Sequence, residues 1–185
     1  FFVIDDPARL TALSDQLSLS IPIQSIDQPE DAALVFSKAL PVLPLTLAKT
    51  VFPGQISPAN QPMVRASIES GVALVQCGRA AALVTNPIHK HALYESGFNY
   101  PGHTEFLAAL AGVETSIMML ASPQLRVVPV TIHKSLKSAI GALDTAAIVT
   151  AARITADALR RDFGIGVPRL AIAGLNPHAG EDGAL

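Results

Sequence analysis

Residues 81–90 read AALVTNPIHK, and this stretch decides the type of fold. An apolar strand candidate, Ala82–Thr85, runs into the polar residue Asn86, and Pro87 stands where a helix can begin. The same succession of a short β-rich run and a helical segment recurs along the chain. Such alternation predicts an α/β layered fold with a mainly parallel sheet.

The remaining elements follow from the apolar pattern. The strand candidates are Phe1–Ile4, Pro44–Leu47, Ala82–Thr85, Ser116–Leu120, Arg126–Ile132 and Arg169–Ala173. The helix candidates are Ala8–Leu17, Asn60–Gly78, Ile88–Ser96, Thr104–Ala111 and Thr145–Phe163. Asp144 is the expected N-cap of the last helix, and Gly78 and Gly164 are expected to end the two long helices.

The length and composition allow one large domain or two small ones. Half of the 185 residues are hydrophobic and 15% are charged, which leaves ample material for a core. A Gly/Pro-rich turn near Gly97–Gly102 predicts a boundary between two α/β domains, 1–96 and 97–185. Because the chain does not begin with Met, we expect it to be part of a longer protein.

Charge and hydropathy exclude several classes of protein. The net charge of −2 gives no basic surface for nucleic acid. No apolar run approaches the roughly 20 residues of a membrane span. Cys77 is the single cysteine, which rules out an intramolecular disulfide and suits a reducing compartment. We therefore expect a cytoplasmic protein without nucleic-acid or membrane partners.

Two predicted helix starts carry polar residues that can bind an anion. Lys90 adds positive charge to the helix that follows Pro87, although Asn86 can equally be a simple cap and Lys90 a solvated side chain. His103 lies at or just before the next helix start, where a protonated imidazole and backbone N–H groups would suit a phosphate. Thr104 can cap that helix, and Glu105 is either an acid or a residue that favours the helix start. An ordinary surface cap with an incidental histidine is the alternative.

Two histidines follow β-rich runs and are candidate metal ligands. His133 follows the run that ends at Ile132, and His178 lies in the loop after Leu170–Ala173. In a parallel sheet both would lie at one edge, where two imidazoles can hold a divalent metal such as zinc, manganese or cobalt. A third ligand would have to come from elsewhere, and two ordinary strand-end histidines are the alternative. No GxGxxG, P-loop or GxSxG motif occurs, so the segment has no standard Rossmann turn for a dinucleotide.

Three segments in this order resemble one family. They are TNPIHK at 85–90, PGHTEFL at 101–107 and GLNPHAGE at 174–181, and they resemble the 4-hydroxythreonine-4-phosphate dehydrogenases of pyridoxal 5′-phosphate (vitamin B6) biosynthesis. The resemblance implies a two-domain α/β/α architecture like that of isocitrate and isopropylmalate dehydrogenases, working as a homodimer. It also implies NAD- or NADP-dependent oxidation of 4-phosphooxy-L-threonine, followed by decarboxylation to 3-amino-2-oxopropyl phosphate.

The resemblance also implies roles for individual residues. His103 and Thr104 would bind the substrate, while His133 and His178 would bind a divalent metal such as zinc, magnesium or cobalt. The family's third metal histidine lies beyond residue 185 and comes from the partner subunit. Lys90 would hold the phosphate or carboxylate and is a candidate for the group that takes the hydroxyl proton, with a metal-bound water as the alternative. No residue is assigned to the cofactor.

Two other functions remain open at this point. A paralogous enzyme acting on 4-phospho-D-threonate or phospho-erythronate would use the same scaffold, and a non-catalytic module would bind an anion or a metal alone. The resemblance implies that the family's opening segment and its C-terminal region lie outside residues 1–185. We therefore expect the 185-residue chain by itself to lack dehydrogenase activity and to bind metal weakly.

Overall fold

The computed structural model describes residues 1–95 and 97–181, and they form two compact units, Phe1–Glu114 and Thr115–Leu185. The strands are β1 Val3–Asp5, β2 Ile23–Ser25, β3 Leu40–Pro44, β4 Leu120–Ala121 and β5 Arg126–Val127. The helices are α1 Pro7–Gln16, α2 Ala32–Val35, α3 Gln61–Gln76, α4 Lys90–Glu95, α5 His103–Ala111, α6 Leu136–Ala142 and α7 Thr145–Arg161. Short 3₁₀ turns precede α2 and α3 at Pro29–Asp31 and Pro58–Asn60.

The first unit contains a three-stranded sheet in the order β1, β3, β2, and every pair of neighbours is parallel. Parallel neighbours need a crossover connection, which α1 and α2 provide. The predicted α/β class and parallel sheet are therefore confirmed. β2 and α2 are too short and too weakly patterned to have been predicted.

The central strand β3 begins earlier than predicted because its prolines occupy tolerant positions. The Leu40 N–H and the Val42 C=O both bond to the β2 side, so the nitrogen of Pro41 faces β1. Pairing with β1 starts only at the register Val3–Val42, beyond Pro41. Pro41 therefore removes no ladder hydrogen bond from the sheet. The predicted strand Pro44–Leu47 is corrected to Leu40–Pro44.

The long helices form as predicted, with ends shifted by one or two residues. In α7 the Asp144 carboxylate accepts the Ala147 N–H at 2.7 Å, which confirms the expected N-cap. Gly78 and Gly164 follow α3 and α7 in the left-handed region, with φ values of 74° and 66°. Ser96, the last residue of the predicted helix Ile88–Ser96, lies outside the described residues.

Several predicted strands do not form within the described residues. No strand appears over 82–85 or 169–173, and 116–120 and 126–132 shorten to the two-residue strands of the β4–β5 hairpin. A strand requires a neighbour that takes its backbone hydrogen bonds, and these segments pair with no described strand. Their apolar side chains face solvent: Val84 is 94% and Ile172 62% exposed. The interpretation of 170–173 as a buried strand is therefore wrong for this structure.

The compact units divide the chain later than the predicted boundary at 96/97. Phe98 and Phe106 pack with Leu93 and Ile68 in one core cluster, so the segment after Gly97 belongs to the first unit. The assignment of 1–96 and 97–185 to the domains of a larger enzyme stays a prediction. Among the described residues no single helix is long and apolar enough to cross a membrane, and α6 and α7 reach that length only as a pair bent by 89°.

Candidate functional site

The starts of α4 and α5 meet at Gly102. A Cβ atom built on Gly102 would lie 3.5 Å from the Nζ atom of Lys90 and 2.7 Å from Oε2 of Glu105. Lys90, from the first predicted loop, therefore lies beside the residue that precedes His103, from the second. The structure brings these two sequence segments together.

An aromatic cluster holds the two helices in this arrangement. The Phe98 and Phe106 rings meet edge to face with centroids 5.0 Å apart, and Tyr100 lies 5.0 Å from Phe106. The Tyr94 hydroxyl at the end of α4 donates to the carbonyl of Pro101 at 3.1 Å. Packing and this hydrogen bond thus fix the turn that presents Gly102 and His103.

Helix α5 starts without a side-chain cap. Gly102 occupies the N-cap position and, as a glycine, offers no side chain to cap the first turn. The predicted capping role of Thr104 is therefore corrected, because Thr104 is already inside the helix. Uncapped N–H groups and the helix dipole attract an anion, so this start fits a phosphate or carboxylate group.

His103 is partly buried at this helix start. Its Nε2 atom is buried and has no hydrogen-bond partner among the described residues. Burial lowers the pKa of His103 from its ordinary value, so the imidazole is neutral at pH 7. A neutral ring can donate or accept one hydrogen bond at Nε2 but adds no positive charge there. Lys90 therefore provides the standing positive charge at this site, and a protonated His103 beside a bound phosphate stays a prediction.

The first loop differs from its prediction in detail. Helix α4 begins at Lys90, three residues after Pro87, and the Nδ1 atom of His89 accepts the Ala92 N–H at 3.3 Å. His89 therefore takes the capping role predicted for Asn86. His89 also lines a cavity of about 350 Å³ together with Asp5 and polar residues of the 55–61 segment.

That cavity lies at the carboxyl edge of the parallel sheet, where ligands bind in open α/β folds. Asp5 ends β1 and forms an ion pair with Arg9, while Asn60 closes the neighbouring loop through two hydrogen bonds to the backbone of Lys49 at 2.9 and 2.7 Å. Asp6 binds the Leu47 N–H at 2.9 Å. These contacts give the sheet edge a fixed rim of charged and amide groups in a position that suits a cofactor.

In the second unit, His178 lies in a tight loop. Asn176 accepts the His178 N–H through Oδ1 at 2.9 Å, and Ala179, Gly180 and Glu181 all have positive φ values. The His178 Nδ1 atom lies 2.8 Å from Oε1 of Glu181. Side chains other than glycine rarely adopt this backbone conformation, so the loop has a specific rather than a random shape.

His133, also in the second unit, is exposed and has a left-handed backbone with φ of 55°. The expectation that a parallel sheet brings His133 and His178 to one edge is not met, because the only described ladder in this unit is the antiparallel β4–β5 hairpin. Within residues 1–95 and 97–181 no three His, Cys, Asp or Glu side chains converge as a metal site. His178 remains a candidate metal ligand, and the two-histidine metal site stays a prediction.

Sequence reasoning did not foresee the contact of Glu181 with His178. The signal available was the spacing of three residues between an imidazole and a carboxylate inside one Gly/Pro loop. Asp182 and Gly183, which belong to the same predicted loop, lie outside the described residues. The meeting of Lys90 with Gly102 was equally unforeseen, since it depends on packing between two helices.

The sequence matches one protein family along its whole length. The family model described as pyridoxal phosphate biosynthetic protein PdxA matches residues 1–185. A 4-hydroxythreonine-4-phosphate dehydrogenase from Xanthobacter autotrophicus is 47% identical over 190 residues, covering 100% of this chain and 54% of that protein.

Solved structures show the same fold. The crystal structure of a 4-hydroxythreonine-4-phosphate dehydrogenase from Burkholderia phymatum matches with a TM-score of 0.88 at 34% identity, over 100% of this chain and 56% of that one. The enzyme from Klebsiella pneumoniae gives 0.81 at 32% identity, over 98% and 57% of the two chains. The chain thus spans about half the length of these relatives. By its sequence and its fold, the chain belongs to the pyridoxal phosphate biosynthetic protein PdxA family.

Proposed function

We propose that the protein containing this chain oxidises 4-phosphooxy-L-threonine with NAD⁺ or NADP⁺ and then decarboxylates the product to 3-amino-2-oxopropyl phosphate. This reaction serves the synthesis of pyridoxal 5′-phosphate. One observation carries the proposal: Lys90 and the uncapped start of α5 lie together, which gives an anionic substrate a cation and free N–H groups at one place. The names of the relatives supply the identity of that substrate.

The residues of the first unit would bind and orient the substrate. His103 and Thr104, in the first turn of α5, would contact the phosphorylated substrate, with the unpaired Nε2 atom of His103 as a hydrogen-bonding group. Lys90 would hold a negative group of the substrate and is the candidate base that takes the hydroxyl proton. A lysine can act as a base when its surroundings favour the neutral amine.

His133 and His178 would hold a divalent metal, such as zinc, magnesium or cobalt, together with a ligand from outside the described residues. When bound, the metal would stabilise negative charge on the substrate oxygen. His178 would bind it through Nε2, while Glu181 keeps Nδ1 engaged. The third ligand is proposed to come from a partner subunit, which makes the active protein a homodimer in the cytoplasm.

The test uses the whole protein with a divalent metal and either nucleotide. NAD(P)H formation is measured with 4-phosphooxy-L-threonine, 4-phospho-D-threonate and phospho-erythronate. We expect the first to be the best substrate. Turnover of either other compound without turnover of 4-phosphooxy-L-threonine would reject the proposed substrate and favour a paralogous enzyme.

A second experiment tests the proposed catalytic role of Lys90. The K90A variant is expected to lower kcat by about 10²–10⁴, the range typical of a lost general base. The matched variant K38A removes a lysine from an exposed turn and is expected to leave kcat unchanged. Equal activity of K90A and the parent protein would remove Lys90 from the catalytic assignment.

A further inference from the structure

The carboxylate of Glu105 is partly buried, and one of its oxygen atoms, the buried Oε2, lacks a hydrogen-bond donor among the described residues. A buried carboxylate oxygen without a donor is unfavourable, because it has lost water and gained nothing in exchange. The position of Glu105 in the first turn of α5 favours a negative charge but does not supply a donor to this oxygen.

Lys90 is a positively charged residue close to the Glu105 carboxylate. Its Nζ atom and Oε2 of Glu105 both border the empty volume above the α-carbon of Gly102, at 3.5 Å and 2.7 Å from the position of a Cβ atom there. Lys90 is exposed and forms no ion pair with the described residues. The other charged side chains of α4, His91 and Glu95, contact each other at 3.5 Å.

Position 102 favours glycine because there is no free room for a side chain beside the Glu105 carboxylate. Its φ and ψ of −164° and −178° are extended values that any residue adopts, so the backbone does not require glycine. A side chain at this position would instead strike the Glu105 carboxylate. Gly102 therefore keeps free the space in which the two charged groups can meet.

We propose that Glu105 is a positioning residue for Lys90: its carboxylate pairs with the Lys90 ammonium across Gly102 and holds that ammonium at the start of α5, beside His103 and Thr104. The catalytic meaning of this pair rests on the proposed function, in the part where the Lys90 ammonium holds a negative group of the substrate; the pair favours the protonated amine and therefore this role over that of the base. The pairing itself rests only on the geometry of the first unit.

The test measures the reactivity of Lys90 in the whole protein, without substrate, metal or nucleotide. Each lysine is acetylated with acetic anhydride, and the rate at Lys90 is followed by mass spectrometry of its peptide. An ion pair holds the amine in its protonated, unreactive form, so E105Q is expected to accelerate acetylation of Lys90 by about two- to fivefold. E105D keeps the charge and is expected to restore part of the protection.

The G102A variant provides an independent test. Its new Cβ would displace only the flexible end of the Glu105 side chain, so the fold should survive while the pair is lost. Lys90 is expected to react faster in G102A by the same factor. G141A is the matched control, because a Cβ at Gly141 meets nothing within 4 Å. E114Q removes an equal charge from an exposed position, and Lys38 serves as the internal reference lysine.

The outcomes are decisive in both directions. Unchanged Lys90 rates in folded E105Q and G102A, judged by circular dichroism, would overturn the proposal. Loss of folded structure in both variants would overturn it as well, since Glu105 would then be a structural residue. No substrate, metal or nucleotide enters the measurement, so its result is independent of whether the whole protein oxidises 4-phosphooxy-L-threonine.

Discussion

The Nδ1 atom of His178 lies 2.8 Å from Oε1 of Glu181, three residues further along the same loop. The Glu181 carboxylate therefore lies on the Nδ1 side of the ring rather than the Nε2 side. Metal-binding histidines are commonly held in this way, because the carboxylate fixes the tautomer and the ring orientation. The contact therefore suits the proposed role of His178 as a metal ligand.

Replacing Glu181 should weaken metal binding without removing a ligand. In the whole protein, E181Q is expected to lower zinc or cobalt affinity by about 10- to 100-fold, because His178 loses its fixed orientation. Isothermal titration calorimetry measures the change, with E114Q as the control for an equal loss of charge. Identical affinities of E181Q and the parent protein would contradict a role for Glu181 in holding His178.

His103 should titrate below an ordinary histidine. Burial lowers its pKa from 6.5, so the NMR midpoint of its ring protons is expected below that value. The unfolded chain then binds the proton more readily, and this residue makes the free energy of unfolding fall as pH drops below 6.5 through the folded pKa. H103N should flatten this part of the stability profile. A midpoint at or above 6.5 would show that the ring is not desolvated.

Asp6 should stabilise the first unit by joining the start of α1 to the segment that follows β3. Its carboxylate accepts the N–H groups of Leu47, Ala8 and Arg9, of which the Leu47 bond contributes most to lowering the Asp6 pKa. We expect D6A to lower the free energy of unfolding by about 1–2 kcal/mol at pH 7, as for the loss of a strong N-cap.

Urea unfolding, followed by far-ultraviolet circular dichroism, measures this loss of free energy of unfolding. D15A is the control, since Asp15 is exposed on the same helix. Because the folded pKa of Asp6 is lowered, its contribution is present above the unfolded value of 3.8 and disappears as pH falls through the folded pKa. If D6A still lowers the free energy of unfolding at pH values below both the folded and the unfolded pKa of Asp6, the ionised carboxylate is not the source of the effect.

The pKa of Glu30 should depend on Arg79. The Arg79 guanidinium makes two hydrogen bonds with the Glu30 carboxylate, at 2.8 and 2.6 Å, and lowers the pKa of Glu30 to about 2. R79A is expected to return that pKa towards 4.5, measured by NMR of the carboxyl carbon. R65A, which disrupts the exposed Arg65–Glu69 pair, is the control. An unaltered Glu30 titration in R79A would exclude the bidentate pair in solution.

The sequence by itself determined the class of fold and the long helices. Apolar residues at helical spacing placed α3 and α7, and Asp144 and Gly78 marked two of their ends, because caps and periodicity are local properties of the chain. The three loop motifs also led to the right family, since residue types and their order do not depend on packing.

Only the tertiary structure decided which residues meet. Lys90 and Gly102 come together where Leu93 of α4 and Phe106 of α5 share one core cluster with Phe98 and Ile68, and no local pattern encodes such a contact. The strand limits were likewise decided by pairing: β3 forms where β1 and β2 take its hydrogen bonds, whereas 169–173 pairs with no described neighbour. A helix forms its backbone hydrogen bonds within one segment and can therefore be predicted from the local sequence. Strands and binding sites depend on partners that are distant along the chain.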